Sequence, residues 1–204
     1  PETNTIGTLT AGVEYYILVD AESTASVTHT FQINCPCPDA TISYSGSPYC
    51  QNAGTANVTL TGSAGGTYSS TAGLNINAAT GAVTLGTSTP GTYTVTYSIA
   101  AAGSCPLFTT TASITVNPTP NAIATPAIQT ICSGATITPI VLTSGVVGTT
   151  YTWTRDNTAG VTGIPGNGVG NISGTLTNIT AAPITVTFTI TPTANGCPGP
   201  TSTA

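Results

Sequence analysis

Six cysteines, one arginine and one histidine are the side chains of this 204-residue sequence best suited to chemistry beyond ordinary hydrogen bonding. The cysteines are Cys35, Cys37, Cys50, Cys105, Cys132 and Cys197, and their spacing decides between metal and disulfide. A structural zinc site draws on C-x₂-C pairs with further cysteine or histidine close by. This sequence offers a single C-x-C and a single His29, so disulfides formed in an oxidising compartment are expected. Cys105 and Cys197 each follow the same text. Thr94-Val95-Thr96-Tyr97-Ser98-Ile99 and a short spacer precede Cys105-Pro106; Thr185-Val186-Thr187-Phe188-Thr189-Ile190 and a spacer one residue longer precede Cys197-Pro198. Cys50 and Cys132 stand at matching early places in the two repeats, so the expected pairs are Cys50 with Cys105 and Cys132 with Cys197. Loops of this size give about 4 kcal/mol each in the chain-entropy account of a disulfide. Cys35 and Cys37 have no assigned partner, since a ring across one residue is strained.

The remaining reactive types point away from catalysis. His29 alternates with Val27, Phe31 and Ile33 and shares their apolar strand face, the place of a hydrogen-bonded core histidine. No G-x-S-x-G elbow accompanies it. Asp20 and Glu22 are close in sequence, but Asp39 and Asp156 have no acidic companion, and no D-x-D run offers calcium a ligand set; the joint at Asp39 is the one weak candidate. The expectation is therefore no catalytic residue, no metal, no cofactor and no enzymatic activity. Arg155, the only cation, is expected to anchor Asp156 or a backbone carbonyl. Trp153, 21 residues after Cys132, and Tyr68, 18 residues after Cys50, are expected as core aromatics packed over the within-module disulfides.

Only 3% of the chain is charged, where an ordinary domain carries about 25%, so solubility rests on hydroxyls and amides. A net charge of −5 with one cation leaves no basic patch for phosphates, which argues against nucleic acid and against anionic membrane surfaces. No apolar run approaches the ~18 residues of a membrane span, and Pro1-Glu2-Thr3-Asn4 is no signal peptide. With no lysine, Lys–Asn crosslinks are chemically impossible and mechanical reinforcement falls to disulfides. Asn57, Asn171 and Asn178 open N-x-[ST] triplets, which chance supplies readily in a chain this rich in Thr and Asn.

Proline-dense joints at Cys35-Pro36-Cys37-Pro38 and Asn117-Pro118-Thr119-Pro120 divide the chain into segments 1–38, 39–119 and 120–204. The first holds two alternating stretches, around Val13–Asp20 and Val27–Asn34, and reads as part of a larger β-domain. The middle segment carries strand patterns at 40–45, 56–61, 66–69, 74–77, 82–85, 92–100 and 107–116, an immunoglobulin-like count for a β-sandwich. The third carries them at 128–132, 137–142, 151–155, 172–175 and 184–191, with its closing strand truncated after Cys197. An open sheet edge of that kind invites a strand from another chain, with the first segment as the donated piece, although an excerpt of a longer chain is the plainer reading.

Tyr68 to Val83, followed by Ser88-Thr89-Pro90-Gly91-Thr92-Tyr93-Thr94-Val95-Thr96-Tyr97, resembles the immunoglobulin-like repeats of very large surface proteins of the Bacteroidota. Cys132-Ser133-Gly134, Tyr151-Thr152-Trp153-Thr154 and Asn195-Gly196-Cys197-Pro198 are similar to the PKD-like domains of the same proteins, and the segment around Ala11–Asp20 looks like the end of a jelly-roll module. The resemblance implies an all-β chain of tandem immunoglobulin-like, PKD-like sandwiches in a secreted, cell-surface or filament-forming adhesin, exported by the type 9 system and in some members serving gliding motility. It carries over no catalytic residue. The expected partners are further copies or repeats and a surface glycan or substratum ligand; a carbohydrate-binding module, or a non-catalytic appendage of a large secreted enzyme, is the alternative.

Overall fold

The computed structural model describes residues 36–103 and 105–204. The chain divides into two compact units, Pro1–Pro36 and Cys37–Ala204. The expectations for His29, Asp20, Glu22 and the strands before Cys35 lie outside the described residues.

Within Cys37–Ala204 the elements are almost entirely β, gathered around two separate hydrophobic cores. This is an all-β, immunoglobulin-like sandwich architecture. The first core lies between a four-stranded sheet, ordered Tyr49–Cys50, Phe108–Asn117, Gly91–Ile99, Thr67–Ser70, and the facing pairs Ala40–Ser43 with Thr59–Gly62 and Thr55–Ala56 with Val83–Thr84. Alternation sets the long hairpin. In Gly91–Ile99, Tyr93, Val95 and Tyr97 point inward and are buried, while the hydroxyl residues between them face out. Phe108–Asn117 pairs with it over nine positions, from Ile99 opposite Phe108 to Gly91 opposite Val116.

Burial also sets the chemistry of Tyr44. Its hydroxyl donates to the Gly81 carbonyl at 2.6 Å, and desolvation, with Tyr68 and Tyr49 beside it, pushes its pKa up to about 12.

The second core lies between the sheet of Asn167–Val169, Thr150–Arg155, Phe188–Ala194 and Cys197–Pro198, with Ser202–Thr203 also on Phe188–Ala194, and the facing groups Ala135–Thr136, Thr175–Asn178, Val161–Gly163 and Ile123–Thr125 with Val141–Thr143. Trp153 packs edge-on against Phe188, ring centroids 5.6 Å apart, above Ile164, Ile172 and Ile190.

Several expected strands differ. Residues 74–77 form only a bridge at Ile76: Ser88 Oγ takes the Asn75 N–H, and Asn77 Oδ1, accepting from Ala79 and Thr80 N–H, turns the chain straight after it. Residues 128–132 and 184–187 lie outside any ladder. Short strands at Val161–Gly163 and Asn167–Val169, in a stretch rich in glycine, carry no alternation that sequence reading could find.

Candidate functional site

The structure pairs the cysteines differently from the expectation. Cys37 is bonded to Cys105, Cys50 is bonded to Cys197, and Cys132 is a free, exposed thiol. Neither expected pair, Cys50 with Cys105 or Cys132 with Cys197, forms. The reason is topological. Cys105 closes the hairpin at one end of the first sandwich, whereas Cys50 lies beside Asn117 at the other end of the same sheet. A nine-residue strand of about 30 Å separates the two ends, far beyond the 4.4–6.8 Å that a disulfide spans between Cα atoms. The matching places of Cys50 and Cys132 are real, but Cys50 bonds outward to Cys197 of the next module and Cys132 is free.

Cys50–Cys197 therefore sits in the joint between the two sandwiches, and the joint is closely packed around it. The hairpin Ala194–Cys197 of the second sandwich meets the end of the first: Asn117 Nδ2 donates to the Asn195 carbonyl at 3.2 Å, and Asn52 Nδ2 donates to the Pro198 carbonyl at 3.0 Å. The linker is part of this packing. Pro120 and Pro192 are among the most completely buried side chains, and Gly199 approaches so closely that a Cβ there would lie 1.8 Å from the Pro120 carbonyl oxygen. Only glycine fits at that contact. The proline-dense joint at 117–120 is thus locked by a covalent bond, two amide hydrogen bonds and a close backbone contact.

At the far end of the second sandwich, Arg155 is buried and anchors backbone. Its Nε donates to the Ile164 carbonyl at 2.8 Å and the Pro165 carbonyl at 3.2 Å, Nη2 donates to Val161 at 2.9 Å, and Nη1 donates to the Asp156 carbonyl at 3.2 Å. A rigid guanidinium fork satisfying several carbonyls of one loop is a structural pin. The Asp156 carboxylate is used elsewhere, accepting from Thr187 N–H at 2.7 Å.

Trp153 and Tyr68 both lie in cores, as expected, but neither covers a disulfide, since both bonds lie at sandwich ends and neither core cluster contains a cystine. Tyr68 instead stacks at a tilt on Tyr97, with centroids 4.7 Å apart. Among the described residues no group of three or more His, Cys, Asp or Glu side chains comes together, and no helix is long and apolar enough to cross a membrane.

The fold and the joint define a class: tandem β-sandwiches fastened to each other by disulfide. Within it, residues 129–204 match the PKD-like domain family, and a PKD-like domain is found there. No curated protein matches the chain. Two disulfides and a PKD-like domain fit an extracellular β-sandwich module.

Proposed function

We propose that this chain is a structural segment of an extracellular surface filament or adhesin stalk, non-enzymatic, serving to space or join adhesive elements at a cell surface. The observation that carries this reading is the Cys50–Cys197 joint. A disulfide between consecutive sandwiches, reinforced by the Pro120–Gly199 contact, transmits tension from one module to the next without bending or sliding. The likeness to Bacteroidota surface repeats adds type 9 export, adhesion and gliding motility to the proposal.

The disposition of aromatics favours scaffold over lectin. Tyr68, Tyr97 and Trp153 are buried, and Gly168 lies against the Trp153 ring, so these rings present no flat face to a sugar.

Immunogold electron microscopy of intact source cells with antibody to this chain tests the proposal. Label along surface fibres is the expected result. Label confined to the cell interior, or to a soluble secreted enzyme, would overturn it.

A further inference from the structure

The two disulfides interleave. Cys37, Cys50, Cys105 and Cys197 follow one another along the chain, and the first is bonded to the third and the second to the fourth. Interleaved bonds do not act independently on a chain under tension. Load that enters before Cys37 and leaves after Cys197 settles on the shortest covalent route, because the weak bonds of a fold yield to force while covalent bonds hold. That route is the thirteen steps of chain from Cys37 to Cys50 and then the bond to Cys197. The stretch from Cys50 to Cys197, a separation of 147 residues, hangs outside it. It holds most of the first sandwich and the second as far as the hairpin at Ala194–Cys197.

Residues 37–50 are fastened along the first sandwich from end to end. At the entry, Cys37 is bonded to Cys105, beside the turn of the long hairpin Gly91–Ile99 and Phe108–Asn117. Further on, Ala40–Ser43 pairs with Thr59–Gly62, and Ala40, Ile42 and Tyr44 are buried. Ser47 Oγ accepts from Thr115 N–H at 2.9 Å, and at the exit Tyr49–Cys50 runs parallel to Val116–Asn117, the other end of the hairpin. Entry and exit are thus pinned to opposite ends of one hairpin, about 30 Å apart for a nine-residue strand. Thirteen residues drawn straight reach about 45 Å, which leaves about 15 Å of slack.

We propose that Cys37–Cys105 and Cys50–Cys197 together make residues 37–50 a tension-bearing strap that keeps both sandwiches off the load path, with reserve length that a dithiol reductant releases. The proposal deepens the stalk reading and rests on it for the source of the tension. Cys50–Cys197 carries the load, and Cys37–Cys105 fixes the strap's entry to the hairpin end and stands behind it as a second bond.

The interleaving also sets the order of release. While Cys50–Cys197 is intact, opening Cys37–Cys105 lengthens nothing, since the strap route does not use that bond. Once Cys50–Cys197 opens, the load passes through Cys37–Cys105 and on along the chain from Cys105 to Cys197. Phe108–Asn117 and the second sandwich then come under force, while residues 38–104 stay off the route. Opening Cys37–Cys105 as well frees the last separation of 68 residues. In each opening the dithiol gives up two electrons and two protons and closes to a cyclic disulfide, and the cystine becomes two thiols.

Single-molecule force spectroscopy tests the strap, on full chains held by tags at both ends and carrying Cys35→Ser and Cys132→Ser so that only the four bonded cysteines remain. At about 3.6 Å per residue, the oxidised chain is expected to stretch about 53 nm less far than the same chain in dithiothreitol. Adding Cys50→Ser with Cys197→Ser should cut that shortfall to about 24 nm, whereas adding Cys37→Ser with Cys105→Ser should leave it at about 53 nm. A shortfall of about 38 nm in the four-cysteine chain, the value for bonds that follow one another instead of interleaving, would overturn the proposal. Before reduction, no unfolding step longer than the roughly 13 nm that residues 1–36 could supply is expected; one of about 25 nm would mean that a sandwich bears the load. A shortfall of about 53 nm in a protein that immunogold places away from fibres would sink the filament reading and leave the strap standing.

Discussion

The first and second sandwiches share a long central strand leading to a Cys-Pro and an early cysteine, yet they use their cysteines differently. In the first, Phe108–Asn117 covers the full length of its neighbour and reaches Tyr49–Cys50 on its other side. In the second, Ser202–Thr203 pairs with Phe188–Ala194, and residues 128–132, which hold the early cysteine, lie outside any ladder. The difference shows that a repeated position in the sequence does not carry a repeated bonding partner with it. Cys50, the early cysteine of the first, is bonded across the joint to Cys197, while Cys132, that of the second, is free and exposed.

The joint yields the largest expected effect. Cys50→Ser with Cys197→Ser releases a loop closed over 147 residues, worth roughly 5 kcal/mol in the chain-entropy account. Calorimetry is expected to resolve one transition into two as the sandwiches uncouple; a single unshifted transition would mean that the modules are held together without the bond. Arg155→Met comes next. It leaves several carbonyls of one loop, two of them buried, without donors, at a cost of about 3 kcal/mol, and the loss is expected in the second sandwich alone. Hydrogen exchange separates the two modules, and equal loss of protection in both would contradict the pin.

Gly199→Ala forces a Cβ against the Pro120 carbonyl and is expected to cost about 1–3 kcal/mol while loosening the joint, read as faster exchange at Asn117 and Asn195. The smallest effect is in alkali. The folded-state pKa of Tyr44 lies above its unfolded value of 10.0, at about 12, so the folded state holds its proton longer. The contribution is full below pH 10 and is lost as pH rises towards 12. Denaturation titrations of the wild type should decline across that window more steeply than those of Tyr44→Phe; equal slopes would remove Tyr44 as the cause.

Much of this was legible in the sequence where physics is local. The Thr-Val-Thr-Tyr alternation gives Gly91–Ile99 its inward and outward faces, and Trp153 and Tyr68, expected as core aromatics from their distance to Cys132 and Cys50, are in cores though over no disulfide. For Arg155 the sequence left Asp156 or a backbone carbonyl open, and the structure takes the carbonyls. The disulfide partners were not legible. Repetition identifies Cys50 and Cys132 as equivalent, but whether equivalent cysteines bond within a module or across to the next depends on which end of the sheet each occupies, which only three-dimensional register supplies. The joint was missed for the same reason: Gly199 reads as one more turn glycine until Pro120 is seen against it.

Disulfide mapping of the native, unreduced protein is the most direct test of the joint as the mechanical centre of this chain. The account predicts a peptide containing Cys50 linked to one containing Cys197. Cys50 found linked to Cys105, with Cys197 linked to Cys132, would contradict it and return each sandwich to an independent module.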